Sequence, residues 1–580
     1  MSKELYEFIT AQTGENIVER KTCPNCGQEF AITDKDLEFY DKISPVFNGT
    51  KYEIPAPTLC PDCRQQRRLA WRNERKLYKR KCDLTWKNII SIYSPDSKYK
   101  VFDQKEWRSD KWNPLDYGRD FDFSKSFFEQ FNEFLKNIPL PSLITFWNNI
   151  NSEYCNYIMW LKNCYLEFWS LDCEDCMYGH NNWYSKNIID SYFSQWEYLY
   201  EGILSSKIYN SCYIYFSENI SESEFIYNSN NLSNCFMCCN LNNKSFCILN
   251  KQYTKEEYHQ KIKEINLWNK FNNYKYIAEF NKFVLKFFRK NLEIINCDNC
   301  SWNHLSNCKN CKNSFYMTFW LNIDNSFCYE SFDIQNSFDV TNSWWSSLIY
   351  EWYNYINSSK STYSYHLDNC NNVLYSQYSL NSSNLFGCVW LRNKQYCIFN
   401  KQYTKEEYEI LVPKIIEHMK ITWERWEFFP ASISPFGYNE TSANEYYPMD
   451  KDEAQKQWYK RQNKEYPINV PEWIKLIRAQ DLPEDINDVD DEILKKAVIC
   501  EISWKPFRIV KAELDFYRKH NLPLPRKHPD VRHLERIQNR WGRKLHLKKC
   551  DNCNKKIITI YPEKCEFKVY CEDCYNKQTY

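Results

Sequence analysis

The sequence predicts a mainly β protein with helical connectors, in which two tandem β-solenoid (β-helix-like) units lie between small cysteine-paired modules at the termini. Three observations predict it. Residues 231–258 and 381–408 match at a constant offset of 150, with 19 of 28 positions identical. Within each copy, a step of Asn or Asp followed by Ser or Cys recurs every 11–12 residues, usually with an aromatic next, as at Asn163-Cys164-Tyr165 and Asn313-Ser314-Phe315. Both termini carry close-spaced CxxC pairs, which in a reducing compartment read as metal sites before disulfides.

Composition narrows the function classes. The chain has 580 residues, 18% aromatic, with 76 Lys+Arg against 75 Asp+Glu and nine scattered glycines. No glycine-rich phosphate loop or dinucleotide turn can be assembled from them. The N-terminal stretch alternates charged and apolar residues, and no long apolar run occurs. A cytoplasmic protein without a membrane segment is therefore expected, with its 28 cysteines mostly reduced.

The N-terminal module, residues 1–120, holds Cys23, Cys26, Cys60 and Cys63; the C-terminal one, residues 491–580, holds Cys550, Cys553, Cys571 and Cys574. Four thiolates from two tight turns offer the tetrahedral sulfur field that zinc prefers, so two zincs per chain are expected. The modules also match each other. Asp36-Leu-Glu-Phe-Tyr40 repeats as Glu513-Leu-Asp-Phe-Tyr517, and Lys81-Cys82-Asp83 as Lys549-Cys550-Asp551. Each copy then keeps a different site: the counterparts of the C-terminal ligands are Cys82, Thr85, Asp103 and Glu106, and those of the N-terminal ligands are Cys500, Ser503, His528 and Val531. Both are broken sets.

The phrases CPNCGQEF, LCPDCRQQRRLAWRNERKLYKRKC and PFRIVKAELDFYRKHNLPLPRKHPDVRH resemble an uncharacterised bacterial family of long, aromatic-rich zinc-ribbon proteins. The resemblance spans nearly the whole chain and implies no particular activity. The terminal modules are similar to zinc ribbons and treble clefs, whose members bind nucleic acid or protein, or simply hold a fold together.

Between the modules, residues 121–146 read as a helical connector. Solenoid unit A spans 147–266 and unit B 297–418, separated by a helical connector at 267–296. In the solenoids, Asn and Asp suit left-handed turns and aromatics suit short strands. Two beats span about 23 residues, near the coil length of a parallel β-helix, and the aromatics are expected inside. Thr254-Lys-Glu-Glu257 and Thr404-Lys-Glu-Glu407 are capping boxes that start a helix over the last coil of each unit. Residues 419–490 read as a partly helical linker.

Charge is segregated: residues 64–81 hold nine Lys/Arg against one acid, and 526–549 nine against two. Arg64, Arg68, Arg72 and Arg75 match Arg532, Arg536, Arg540 and Arg543 at offset 468, in steps close to one helical turn. With Trp71, Tyr78 and Trp541 among them, these arginines are expected to contact nucleic acid, RNA before DNA. The alternatives are a protein-interaction scaffold with purely structural zincs, and, less favoured, a β-helix enzyme acting on polysaccharide. An enzyme is not the preferred reading, since no nucleophile–base pair stands out. Two further signals are weaker. Cys297, Cys300, Cys308 and Cys311 fall within the solenoid beat and are expected to pack rather than bind metal. Glu201 and Glu351 recur at offset 150 and are expected to cap turns.

Overall fold

In the computed structural model, residues 3–579 are described except 147, 266–269, 318–321, 465, 467–469 and 541–543. The two solenoids are present, and their construction is simpler than the sequence suggested. Over most of both solenoids parallel strands pair residue i with residue i+12: Leu171 with Trp183, Ile208 with Ile220, Val373 with Leu385 and Leu385 with Cys397. The first coils of the second solenoid depart from it, pairing Ile294 with Leu305 and Cys308 with Asn322. One coil is therefore 12 residues, a single beat, and not the pair of beats inferred from the sequence.

The coil is a square built from triplets. From Phe327 to Phe399 every third residue sits in the left-handed region, with φ between 43° and 64°, and the same holds from Tyr157 to Phe193 and from Tyr198 to Leu249. Four such corners close each 12-residue turn. Side chains pay a steric penalty there, smallest for Asn and Asp, which is why the corners are so rich in both residues. On the outside the corner amides stack one coil apart, as in the Asn219–Asn231–Asn243 ladder.

The residue after each corner points inward. In the second solenoid these positions carry Cys328, Val340, Trp352, Ser364, Ser376 and Cys388 along one column, all buried. The interior is thus made mainly of Ser, Cys and aliphatic residues, and the expected aromatic interior is replaced by aromatics on the outer faces. The reason is local. A left-handed corner leaves ladder groups unpaired, and a short side chain with a donor and an acceptor repairs them. Ser376 Oγ donates to the Leu374 carbonyl at 2.9 Å and accepts the Cys388 N–H at 2.9 Å. The Cys388 thiol donates in the same way to the Phe386 and Cys397 carbonyls. Buried polar groups left unmade are costly, so the hydroxyl and thiol ladder is structural. Cys308 and Cys311 belong to it: their thiols donate to the Met317 and Asn322 carbonyls, and their N–H groups donate to the sulfurs of Cys297 and Cys300 in the coil below.

Both capping boxes form. Thr254 and Thr404 accept the N–H groups of Glu257 and Glu407, opening helices Lys255–Glu264 and Lys405–Ile421. Tyr258 and Tyr408 then lie 5.7 and 5.8 Å from Phe246 and Tyr396 of the last coils, the same contact in both copies. The connectors contain helices Phe127–Asn137 and Lys270–Val284.

The chain forms two compact units, neither continuous in sequence. One comprises Met1–Ser142, Lys290–Gln462 and Arg543–Lys564; the other comprises Leu143–Arg289, Asn463–Gly542 and Cys565–Tyr580. The N-terminal module thus packs on the second solenoid, and the 491–542 part of the C-terminal module on the first. The stretch 419–490, expected to be a linker, contributes core instead: Phe428, Phe429, Tyr438 and Ala443 are all buried in the first unit. No helix among the described residues is long and apolar enough to cross a membrane.

Candidate metal centres and the buried arginine stripes

Four tight β-turn knuckles with one hydrogen-bond pattern lie in the terminal modules. In each, the N–H four residues after a cysteine donates back to that cysteine's carbonyl: Gly27 to Cys23, Trp86 to Cys82, Trp504 to Cys500 and Asn554 to Cys550, at 2.8–3.2 Å. The cysteine's own N–H is taken by the carbonyl of Gln28, Lys87, Lys505 or Lys555. The module duplication read from the sequence is therefore also a duplication of backbone.

Two knuckles complete a metal-binding set. The sulfurs of Cys23, Cys26, Cys60 and Cys63 lie within 4.8 Å of one another, and so do those of Cys550, Cys553, Cys571 and Cys574. The second pair of each set comes from a helix N-terminus. Cys60 caps helix Pro61–Leu69 without a side-chain hydrogen bond, and Cys571 immediately precedes helix Glu572–Thr579. Free N–H groups and the helix dipole at that end favour thiolate over thiol. In each set one sulfur-bearing residue, Cys26 or Cys553, is exposed and three are buried. Such a set can hold one metal ion.

The other two knuckles show what replaces the metal. At the first, the Asp103 N–H donates to Cys82 Sγ at 3.2 Å, and the Asp103 side chain caps helix Gln104–Arg108 by accepting the Lys105 N–H. At the other, the N–H groups of Ile502 and Ser503 donate to Cys500 Sγ, and His528 caps helix Pro529–Asn539 by accepting the Asp530 N–H at 3.1 Å. Burial raises both cysteine thiols, but hydrogen bonds outweigh it and leave them below the ordinary value; Thr85 is the main donor to Cys82 and Ser503 to Cys500. The position that held a ligand has become an N-cap. A direct test follows: because Cys500 and His528 are already in place, Ser503→Cys with Val531→Cys should complete a Cys3His set. Elemental analysis is expected to show one additional metal ion per chain.

The arginines stand elsewhere than the sequence suggested. Arg64, Arg68, Arg72, Arg532, Arg536 and Arg540 are at most 5% exposed, and Arg75 is half-buried. Arg543, like Trp541, lies outside the described residues. Arg64 reaches Asp339 at 2.9 Å, and Arg68 reaches Asp339 at 3.4 Å and Glu351 at 3.5 Å. Arg67 joins them, 3.1 Å from Glu351 and 2.7 Å from Glu427. The guanidinium of Arg72 lies 4.5 Å over the Tyr353 ring and pairs with Glu74. In the second unit the arrangement repeats. Arg532 and Arg536 both bind Asp190, Arg536 also reaches Glu201 at 3.4 Å, and Arg540 lies 4.6 Å over Tyr192. Nucleic-acid contact by these six arginines is therefore not shown: they are buried against carboxylates and aromatic rings, mostly of the solenoids.

All four solenoid acids are left-handed corner residues: Asp190 (φ 59°), Glu201 (56°), Asp339 (56°) and Glu351 (48°). Asp339 and Glu351 are 12 residues apart, one coil, so their carboxylates stack on one edge facing the arginine helix. The recurrence of Glu201 and Glu351 is thus explained by ion pairing. Their match to the recurring arginines was visible in the sequence, but as two unrelated signals. Aromatic docking adjoins the pairs in the first unit, where Phe39 stacks on Phe338 at 3.9 Å and Tyr40 lies 5.2 Å from Tyr350. No family model matches the chain, and no curated protein matches it either.

Proposed function

We propose that the chain is a cytoplasmic, zinc-stabilised binding scaffold, and that its two metals are structural. The observation that carries this reading is the fate of the arginine stripes: residues that looked like a ligand surface instead lock each terminal module to a solenoid. Two four-cysteine sets support zinc as the metal, since soft thiolates in a tetrahedral field suit it and it needs no open position for a structural role. A catalytic zinc keeps a position for water or substrate, and a set closed by four sulfurs leaves none. The solenoids supply the rigid platform, held by ladders that repeat every coil.

X-ray absorption on the purified chain tests this. The expected result is zinc at two ions per chain, each with a shell of four sulfurs at about 2.3 Å. An oxygen or nitrogen ligand in place of one sulfur would give the metal an open or catalytic position and overturn the structural assignment.

A further inference from the structure

The residue that follows the fourth position of each knuckle is left-handed: Gly27 (φ 71°), Trp86 (60°), Trp504 (58°) and Asn554 (60°). The two intact knuckles use Gly and Asn, which adopt this conformation at least cost. Both broken knuckles use Trp, for which it is unfavourable. Packing does not compensate, because Trp86 and Trp504 are 71% and 76% exposed. Two positions earlier, Leu84 and Ile502 are also exposed, at 37% and 59%. Lys87 and Lys505 follow the rings in the open.

The two broken knuckles read alike, Cys82-Asp-Leu-Thr-Trp-Lys87 and Cys500-Glu-Ile-Ser-Trp-Lys505. They are not counterparts in the module duplication, however: Cys82 corresponds to Cys550 and Cys500 to Cys23. Descent from equivalent positions gives no reason for the likeness, and packing gives little, since most of each ring is exposed. Charge changes in the same direction. A zinc held by four thiolates carries about −2, and a broken set carries none of it. Residues 78–91 then hold Lys79, Arg80, Lys81 and Lys87 against Asp83, a net of +3, and residues 496–508 hold Lys496, Lys505 and Arg508 against Glu501, a net of +2. Asp83 is itself occupied, bonded to Arg80 and to the Val101 N–H.

We infer that each broken knuckle is a stacking tip for single-stranded nucleic acid, with Trp86 or Trp504 under an unpaired base and the flanking lysines on its phosphates. The inference rests on the binding-scaffold reading and gives it a ligand class. An exposed indole accepts any base face, and cations beside it complement the backbone. An anionic lipid surface also complements lysine, but one ring and one aliphatic side chain per tip offer little apolar area for insertion.

The test uses the full-length chain with its metals. A fluorescent oligouridine, a duplex of the same length, and vesicles of phosphatidylcholine with phosphatidylserine are titrated across a salt series. Trp86→Asn and Trp504→Asn introduce the residue that the intact C-terminal knuckle already carries, so melting temperature should not fall. Each should weaken oligouridine binding by about tenfold. Lys87→Gln with Lys505→Gln should flatten the salt slope by about one to two units. Equal binding by the double tryptophan variant would overturn the inference, as would no oligouridine binding by the parent or a stronger, tryptophan-dependent response to vesicles. The scaffold reading is judged separately, by the metal shell, and survives any of these failures.

Discussion

Asp339→Asn is expected to destabilise the first unit by about 3–5 kcal/mol, and Asp190→Asn the second by a similar amount. Each carboxylate is fully buried and serves two arginines, Arg64 with Arg68 or Arg532 with Arg536. Asn keeps the shape and removes the charge, so two guanidinium groups are left in a dry site with one counter-charge missing. A buried pair is no guarantee of net stability when formed, because desolvation of both partners offsets the attraction. Breaking one side has no such offset. Asp120→Asn is the control: its pair with Lys401 is exposed and should be worth under about 1 kcal/mol. Chemical denaturation of the three variants checks the difference. If Asp339→Asn unfolds with the parent, the arginine helix is held by its aromatic neighbours alone, and the ion pairs are incidental.

The same pairs show what was legible in the sequence. The 150-residue repeat, the beat, both cysteine quartets and the two broken sets could all be read, because each depends on spacing along the chain. The capping boxes at Thr254 and Thr404 were equally local. Coil length is hard to read because the Asn-Cys step marks every turn, whereas a β-helix of familiar size would use two. The inward column was hidden for a related reason. Apolar content does not identify it, since Ser376 and Cys388 face in while Tyr363 and Tyr375 stack 5.0 Å apart on the outside. Only the period of three in backbone conformation separates them, and a sequence shows that period weakly when Lys, Phe and Trp also occupy corners.

The arginines defeat a reading from sequence for a different physical reason. A run of nine cations against one acid looks like a solvated or ligand-facing surface when its counter-charges are not nearby in sequence. Here they sit 275 residues or more away, at Asp339 and Glu351, on an edge assembled only by coil stacking. Acids and cations both stand out in the sequence, but sequence offers no distance between them.

Metal removal should act on the two arginine helices unequally, and this is the sharpest consequence of the broken sets. Helix Pro61–Leu69 carries Arg64, Arg67 and Arg68, and its first turn holds Cys60 and Cys63. A strong chelator, or Cys60→Ala, removes binding energy that in a structural zinc site amounts to about 10–16 kcal/mol. The helix start is then left without a cap, since Cys60 makes no side-chain hydrogen bond there. Its counterpart, Pro529–Asn539, carries Arg532 and Arg536 but starts at His528, which caps it with no metal among its partners. The metal of the C-terminal module is held at Glu572–Thr579 instead, a helix with no arginine at all. Hydrogen exchange before and after chelation should therefore show protection lost over residues 61–69 and kept over 529–539. Cys553→Ser should expose residues 572–579 and leave both arginine helices protected. Equal loss at both arginine helices would mean that His528 does not substitute for the metal, and that the second unit depends on a ligand set the broken knuckle no longer has.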